Sequence, residues 1–276
     1  ALLLCLKLKN INFVNVLLRE YRDFNSNFVT FASPNFVDSL GMTALHYACK
    51  WGDKEVMERL LKYNQGWNMD EFGYAHQDMR VYHVGCDPNI VASNGFTALM
   101  IAVLNGHVEA ARILCQKKQK HGKDVPILIK KMFKPNVNVN QAVCLEVGQH
   151  QAYGIALGFT ALHICVSRKT TLPALVSILI DAGADVNAGR MHPTPLHRAV
   201  NSGDIERVKL LLKAGADPYI LAYTGTPLTE ALRIQEYTPE QSVELVQLLL
   251  DAGGVVSKRD LVIALDTQKI TGNSDI

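Results

Sequence analysis

The chain has 276 residues, 48% apolar and 20% charged, a balance that fits a folded protein and excludes wholesale disorder. A net charge of +2 gives no overall pull towards nucleic acid, and no apolar stretch is long enough to span a bilayer. The length exceeds one ordinary core, so either two domains or a fold that grows by repetition is expected.

In chain order, Ala1–Leu18 aligns on Ala44–Leu61, placing Leu2 on Leu45, Asn10 on Asp53 and Leu17-Leu18 on Leu60-Leu61. The chain thus opens inside a repeat and, without an initiator Met, reads as a piece of something longer. Thr-(Ala/Pro)-Leu then recurs at Thr43, Thr97, Thr160, Thr194 and Thr226. The fourth position holds His46, His163 and His197 in three copies, Met100 in the second and Thr229 in the last. Successive starts lie 54, 63, 34 and 32 residues apart, which is a unit of about 33 residues with extra chain in the first two intervals.

The cleanest copy is Thr194-Pro195-Leu196-His197, Gly203-Asp204-Ile205-Glu206, Leu210-Leu211-Leu212 and Ala214-Gly215-Ala216-Asp217-Pro218. Thr194 suits a helix N-cap and Pro195 the first turn, where a missing N–H costs nothing. Gly203 and Gly215 are placed to end the two helices, and the Leu run gives the second an apolar face. On these motifs the chain resembles the ankyrin-repeat family, and the same frame fits the other copies. The resemblance implies an all-α solenoid of stacked helix-turn-helix units with β-hairpin tips. It places repeats near 1–20, 38–64, 92–118, 155–188, 189–220 and 221–254, a closing helix near 258–270, and insertions near 21–34, 65–84 and 119–152. His192 and Thr224 stand where the family has its hairpin Gly, so those two tips are expected to differ in shape.

No phosphate-binding Gly-rich loop, nucleophile elbow or His-Glu-x-x-His pair occurs, so no catalytic residue, cofactor or metal is expected. His46, His163 and His197 recur once per repeat, about 10 Å apart along the stack, too far for one metal. They read as residues tying hairpin backbone to the next repeat. Asp53, Glu55, Glu109, Asp204 and Glu206 sit where second helices begin and suit the positive helix end. The six cysteines are widely spaced with no Cys-x-x-Cys pair, which suits reduced thiols in an intracellular protein, cytoplasmic or nuclear.

The resemblance also places a concave partner-binding surface on hairpin tips and first helices. Its candidates are Leu40, Met42, Lys50, Trp51, Phe96, Leu104, Leu157, Phe159, Arg168, Arg190, Met191 and Tyr223. An apolar and aromatic series at tips that would ordinarily be polar suggests contact with another protein or peptide. Lys117, Lys118, Lys120, Lys123, Lys130, Lys131 and Lys134 crowd the third insertion, a candidate site for an acidic peptide, anionic ligand or RNA. The aromatics Trp67, Phe72, Tyr74 and Tyr82 suggest an ordered second insertion. Asn187, after Asp-Val and eight residues beyond Leu179, resembles the site modified by an asparaginyl hydroxylase in the family. The expected function is a non-catalytic scaffold or adaptor; the alternatives are a recognition module of a larger enzyme, such as a ubiquitin ligase, and an anion or RNA binder.

Overall fold

The computed structural model describes residues 35–62, 86–116, 137–143, 157–168, 172–189, 192–233 and 238–271, with the single position Leu3. Outside these lie the expected first repeat near 1–20, the insertions near 21–34 and 65–84, Arg190, Met191 and all seven lysines from Lys117 to Lys134. The chain forms two compact units, Ala1–Asn138 and Val139–Ile276. Among the described residues there are helices and one isolated β-bridge, Ala222 with Gly225, so the fold is all-α.

The first unit contains α1 (Ala44–Trp51), α2 (Lys54–Lys62), α3 (Ala98–Leu104) and α4 (Val108–Cys115). The second contains α5 (Ala161–Ser167), α6 (Pro173–Asp181), α7 (Pro195–Ser202), α8 (Ile205–Lys213), α9 (Pro227–Arg233), α10 (Pro239–Asp251) and α11 (Lys258–Thr271). First helices pack on first helices, α1 on α3 and, in the second unit, α5, α7, α9 and α11 in turn. Second helices do likewise, α2 on α4 in the first unit and, in the second, α8 on both α6 and α10. This is the solenoid expected from the repeats.

The helices α1, α3, α5 and α7 each start at a Thr in extended conformation whose hydroxyl faces the fourth residue of the motif. At α1 the Thr43 N–H donates to His46 Nδ1 at 3.1 Å, while Thr43 Oγ1 accepts the His46 N–H at 3.4 Å. Small Ala44, Ala48, Ala98, Ala102 and Ala199 are buried, which lets neighbouring first helices approach closely. Leu45, Leu60, Leu99, Leu162, Leu179, Leu196, Leu211, Leu245 and Leu249 fill the space between the two layers. Gly52 ends α1 at φ 69°, and a Cβ there would come within 2.6 Å of the His107 ring. Any other residue there would strain the backbone and would have to displace the His107 ring.

The insertion expected over 119–152 is not continuous. Residues 137–143 belong to the repeat: Val143 N–H donates to the Phe159 carbonyl and Gly158 N–H to the Val143 carbonyl, at 2.8 Å each. Ala92 does the same with Phe96 and Gly95 in the preceding tip. In sequence, the extra chain therefore falls in two stretches, one before Val137 and one between Val143 and Leu157. Asn138-Val139-Asn140 occupies the place that Asp87-Pro88-Asn89 holds in the first unit, a match hidden by the intervening residues.

Candidate functional site

Asparagines tie the hairpin bases together. In the first unit, Asn35 Oδ1 accepts the Asp87 N–H at 2.7 Å and Asn89 Oδ1 the Asn138 N–H at 2.6 Å. In the second, Asn140 Oδ1 accepts the Asp185 N–H and Asn187 Oδ1 the Asp217 N–H, at 2.7 and 2.8 Å. The amide groups of Asn140 and Asn187 also donate to the carbonyls of Gly183 and Gly215. Asn187, the candidate modification site, is thus one rung of a repeated structural ladder, with both ends of its amide engaged.

The histidines hold the tips from beneath. His46 Nε2 bonds the Phe96 carbonyl at 3.3 Å and His197 Nε2 the Gly225 carbonyl at 3.0 Å, each in the following repeat. Because the Thr43 N–H donates to Nδ1, the proton sits on Nε2 and the imidazole is neutral. Burial lowers the pKa of both His46 and His197, and the carbonyl bonds oppose the shift. His163 is the exception: its buried Nε2 has no hydrogen-bond partner in good geometry. Burial lowers its pKa to about 4, against the nearby Pro193 carbonyl. Among the described residues, no three His, Cys, Asp or Glu side chains come together to hold a metal ion.

In the first unit, Leu40 is 59% exposed at a hairpin tip, and its carbonyl accepts the Ser93 N–H of the next tip. Lys50 is exposed, Leu104 half-buried, and Trp51 half-buried against the Tyr47 ring at 5.7 Å. In the second unit, Leu157 and Tyr223 are exposed at tips, and Tyr223 meets His192 edge-on at 6.2 Å. Arg168, half-buried, follows the last turn of α5.

Met42, Phe96 and Phe159 correct the sequence reading: they are 7%, 3% and 2% exposed and offer no side chain to a partner. Each immediately precedes the capping Thr, where a hydrophobic residue fixes the entry of the chain into the helix. Phe159 shows the packing. Its ring stacks on His163 at 4.9 Å on one side and lies 5.2 Å from the Arg198 guanidinium.

Arg198 is a site residue that sequence reasoning passed over. It stands where α1, α3 and α5 carry Tyr47, Ile101 and Ile164. Its Nε–H donates to Ser167 Oγ at 3.0 Å, and Ser167 Oγ donates to the His163 carbonyl at 2.7 Å. Burial draws the Arg198 pKa down, opposed by Tyr223 and Glu230, yet an arginine stays cationic at any physiological pH. The available signal was a charge at a motif position that holds Tyr47, Ile101 and Ile164 in the three preceding copies. His192 was noted only as a misplaced tip residue, not as the partner of Tyr223.

The two tips with unusual glycine placement do differ. The last closes as a tight turn, with Ala222 and Gly225 exchanging both backbone bonds, and Gly225 takes φ 126° against the Thr229 side chain. At the preceding one, the His192 N–H closes onto the Gly189 carbonyl at 2.8 Å, and Gly189 has φ 114°. Each carries its positive-φ glycine at a different position from Gly95.

The family model for ankyrin repeats matches residues 2–125 and 125–222. The chain belongs to the ankyrin-repeat family. Among curated proteins, this ankyrin array is 42% identical over 69 residues to human BCL-6 corepressor-like protein 1. That match covers 25% of the chain and 4% of the relative. The array is 26% identical over 261 residues to E3 ubiquitin-protein ligase KEG of Arabidopsis thaliana, covering 86% of the chain and 14% of the relative. The array thus spans a small fraction of these longer relatives. Among solved structures, the ankyrin repeat domain of Bcl-3, a member of the IkappaB protein family, superposes with a TM-score of 0.60 at 18% identity. It covers 95% of this chain and 96% of that one, a likeness of fold. Among the described residues, no helix is long and apolar enough to cross a membrane.

Proposed function

We propose that this array is a non-catalytic protein-interaction scaffold that holds a partner along the hairpin tips and first helices. Ankyrin repeats generally mediate protein–protein interaction, and the observation that favours this role here is the exposure of Leu157 and Tyr223 at the tips that lead into α5 and α9. A soluble tip has no folding reason to present such side chains, whereas an interface uses them as anchors. The stack holds them in place before binding, so little ordering entropy is lost on association. Lys50, Trp51 and Leu40 offer a separate surface of the same kind in the first unit. The test is affinity purification with mass spectrometry, comparing the native array with a Leu157→Ala/Tyr223→Ala variant. Partners lost only from the variant support the reading; unchanged recovery of all partners refutes it.

A second reading makes the array the recognition module of a larger enzyme. It is favoured by the match over most of the chain to a ubiquitin ligase of which the aligned segment is only a small part. Ubiquitin transfer to a bound partner by the full-length protein, abolished when the array is deleted, would support this reading; transfer that survives the deletion would dismiss it. Asn187 remains a proposed oxidative modification site, tested by a one-oxygen mass gain on its peptide from oxygenated cells. The buried, reduced thiols of Cys49, Cys86 and Cys165 suit a protein that works inside the cell.

A further inference from the structure

We propose that the tip and first-helix face of the second unit takes an extended acidic segment of a partner protein, whose carboxylates meet Arg168, Arg198 and Arg233 in successive repeats. This rests on the reading of that face as partner-binding and adds the chemistry of the partner.

The charge on this face differs from that of the whole chain. Arg168 follows α5, Arg198 lies within α7 and Arg233 ends α9, so three consecutive first helices each contribute a cation. Glu230 is the one acid in the sequences of those three helices. Among the described residues, the other carboxylates of these repeats stand elsewhere, Asp185 and Asp217 at hairpin bases and Asp181, Asp204, Glu206, Glu240, Glu244 and Asp251 on or before second helices. Arg233 is exposed, and its Nη1 bonds a neutral group, the Thr224 carbonyl at 2.8 Å, which fixes the side chain without cancelling its charge. Arg198 is fixed by the Phe159 ring and Ser167. Guanidinium groups held this way suit bidentate pairing with carboxylates, and their side-chain entropy is already spent.

The arginines stand eight, four and seven residues beyond Thr160, Thr194 and Thr226, so the ligand is defined by its acidity rather than by a fixed spacing of acids. Leu157 and Tyr223, with His192 beside the latter, give apolar contacts at the rim for intervening side chains. A single-stranded nucleic acid would instead call for a series of stacking aromatics, and among the described tips of this unit the exposed rings are His192 and Tyr223, already set edge-on to each other.

The experiment selects a random linear peptide library on the array and measures the recovered peptides by fluorescence anisotropy. The comparison proteins are Arg198→Gln/Arg233→Gln, Arg233→Gln alone and Leu157→Ala/Tyr223→Ala, with oligouridylate as a competing probe. Acid-rich peptides whose affinity falls about tenfold or more with the double arginine variant support the proposal. Arg233→Gln, at an exposed site, keeps the test valid if the double variant melts early, and there a several-fold loss is expected. Peptides without acidic bias that still depend on Leu157 and Tyr223 would overturn the charge proposal and leave the face as a binding surface. Binding indifferent to both sets of residues, or no selected peptide, would overturn both readings. Oligouridylate that binds through the arginines and displaces the peptides would replace the protein ligand by RNA.

Discussion

Thr229 Oγ1 donates a 2.6 Å hydrogen bond to Asp260 Oδ1, and the Asp260 carboxylate is completely buried between α9 and α11. Thr229 occupies the place of His46 and His197, so the last repeat replaces an imidazole–carbonyl tie by a hydroxyl–carboxylate one. The other oxygen accepts the backbone N–H and the hydroxyl of Ser257. Ser257 thus caps α11 much as Thr caps each earlier first helix.

This contact predicts how the end of the array responds to acid. Burial pushes the Asp260 carboxyl up, but the bonds from Ser257 and Thr229, with the charge of Arg259, outweigh it and leave the pKa below the ordinary carboxylate value. A carboxylate depressed in the folded state stabilises above its unfolded pKa, and that stability is lost as pH falls through the folded pKa. Asp260→Asn should therefore loosen α11 at neutral pH by about 2 kcal/mol, the worth of a charge-assisted hydrogen bond. Amide exchange along Lys258–Asp266 reads this directly, and unchanged protection would refute it.

His163 governs a different pH window. Its pKa is about 4 in the folded chain, below the usual histidine value, because burial penalises the charged ring. The unfolded chain thus binds more protons between roughly pH 6.5 and pH 4, so stability falls as pH drops through that range. One buried histidine shifted this far is worth about 3 kcal/mol across the window, and His46 and His197 act in the same direction. Urea midpoints at descending pH measure the slope. His163→Gln should flatten it while keeping the cap, since Gln241 already serves the same N3 role for Thr238 at α10. An unchanged slope would mean that His163 does not titrate as its burial implies.

The repeat frame was legible because caps and turns depend on single residues: Thr before the helix, Gly after it, Leu at helical spacing. Residues that depend on the neighbouring repeat were not. Met42, Phe96 and Phe159 look like tip residues in one repeat, and only stacking shows that they are buried. Asn138-Val139-Asn140 was masked by extra chain on both sides, although its Asn is the same ladder residue as Asn89 and Asn187. Of the candidate site, the exposed Leu40, Leu157 and Tyr223 followed from the sequence, whereas the role of Arg198 required the geometry of Phe159 and Ser167.

Asn187 offers a test of that ladder. Its amide accepts from the Asp217 N–H and donates to the Gly215 carbonyl, both in the next repeat. Asn187→Ala removes both bonds at a half-exposed site where water replaces part of the loss, so a cost of about 1 kcal/mol is expected. Asn187→Asp keeps the acceptor and should cost less than Ala. Thermal melts of the two variants settle the order, and equal stabilities would show that the acceptor bond contributes nothing.

Arg207 carries a large expected effect on stability. It is 1% exposed and stands where α2 and α4 bury Val56 and Ala110. The reason lies at the end of α5, which closes on Arg168 in extended conformation rather than on a left-handed glycine such as Gly52 or Gly203. Carbonyls at that end need a donor, and Arg207 Nη1 supplies one to the Arg168 carbonyl at 2.7 Å and approaches that of Val166 at 3.5 Å. Asp204 pairs with its Nε at 3.2 Å, so the buried charge has a counterion as well as acceptors. Arg207→Met should fill the volume yet leave those carbonyls and Asp204 unmatched, at a cost of about 3 kcal/mol. Arg207→Lys should recover only part of this, because one ammonium cannot reproduce the planar fork that meets carbonyl and carboxylate together. Urea midpoints of the two variants give the comparison. A Met variant as stable as the native chain would make Arg207 a packing residue rather than the cap of α5.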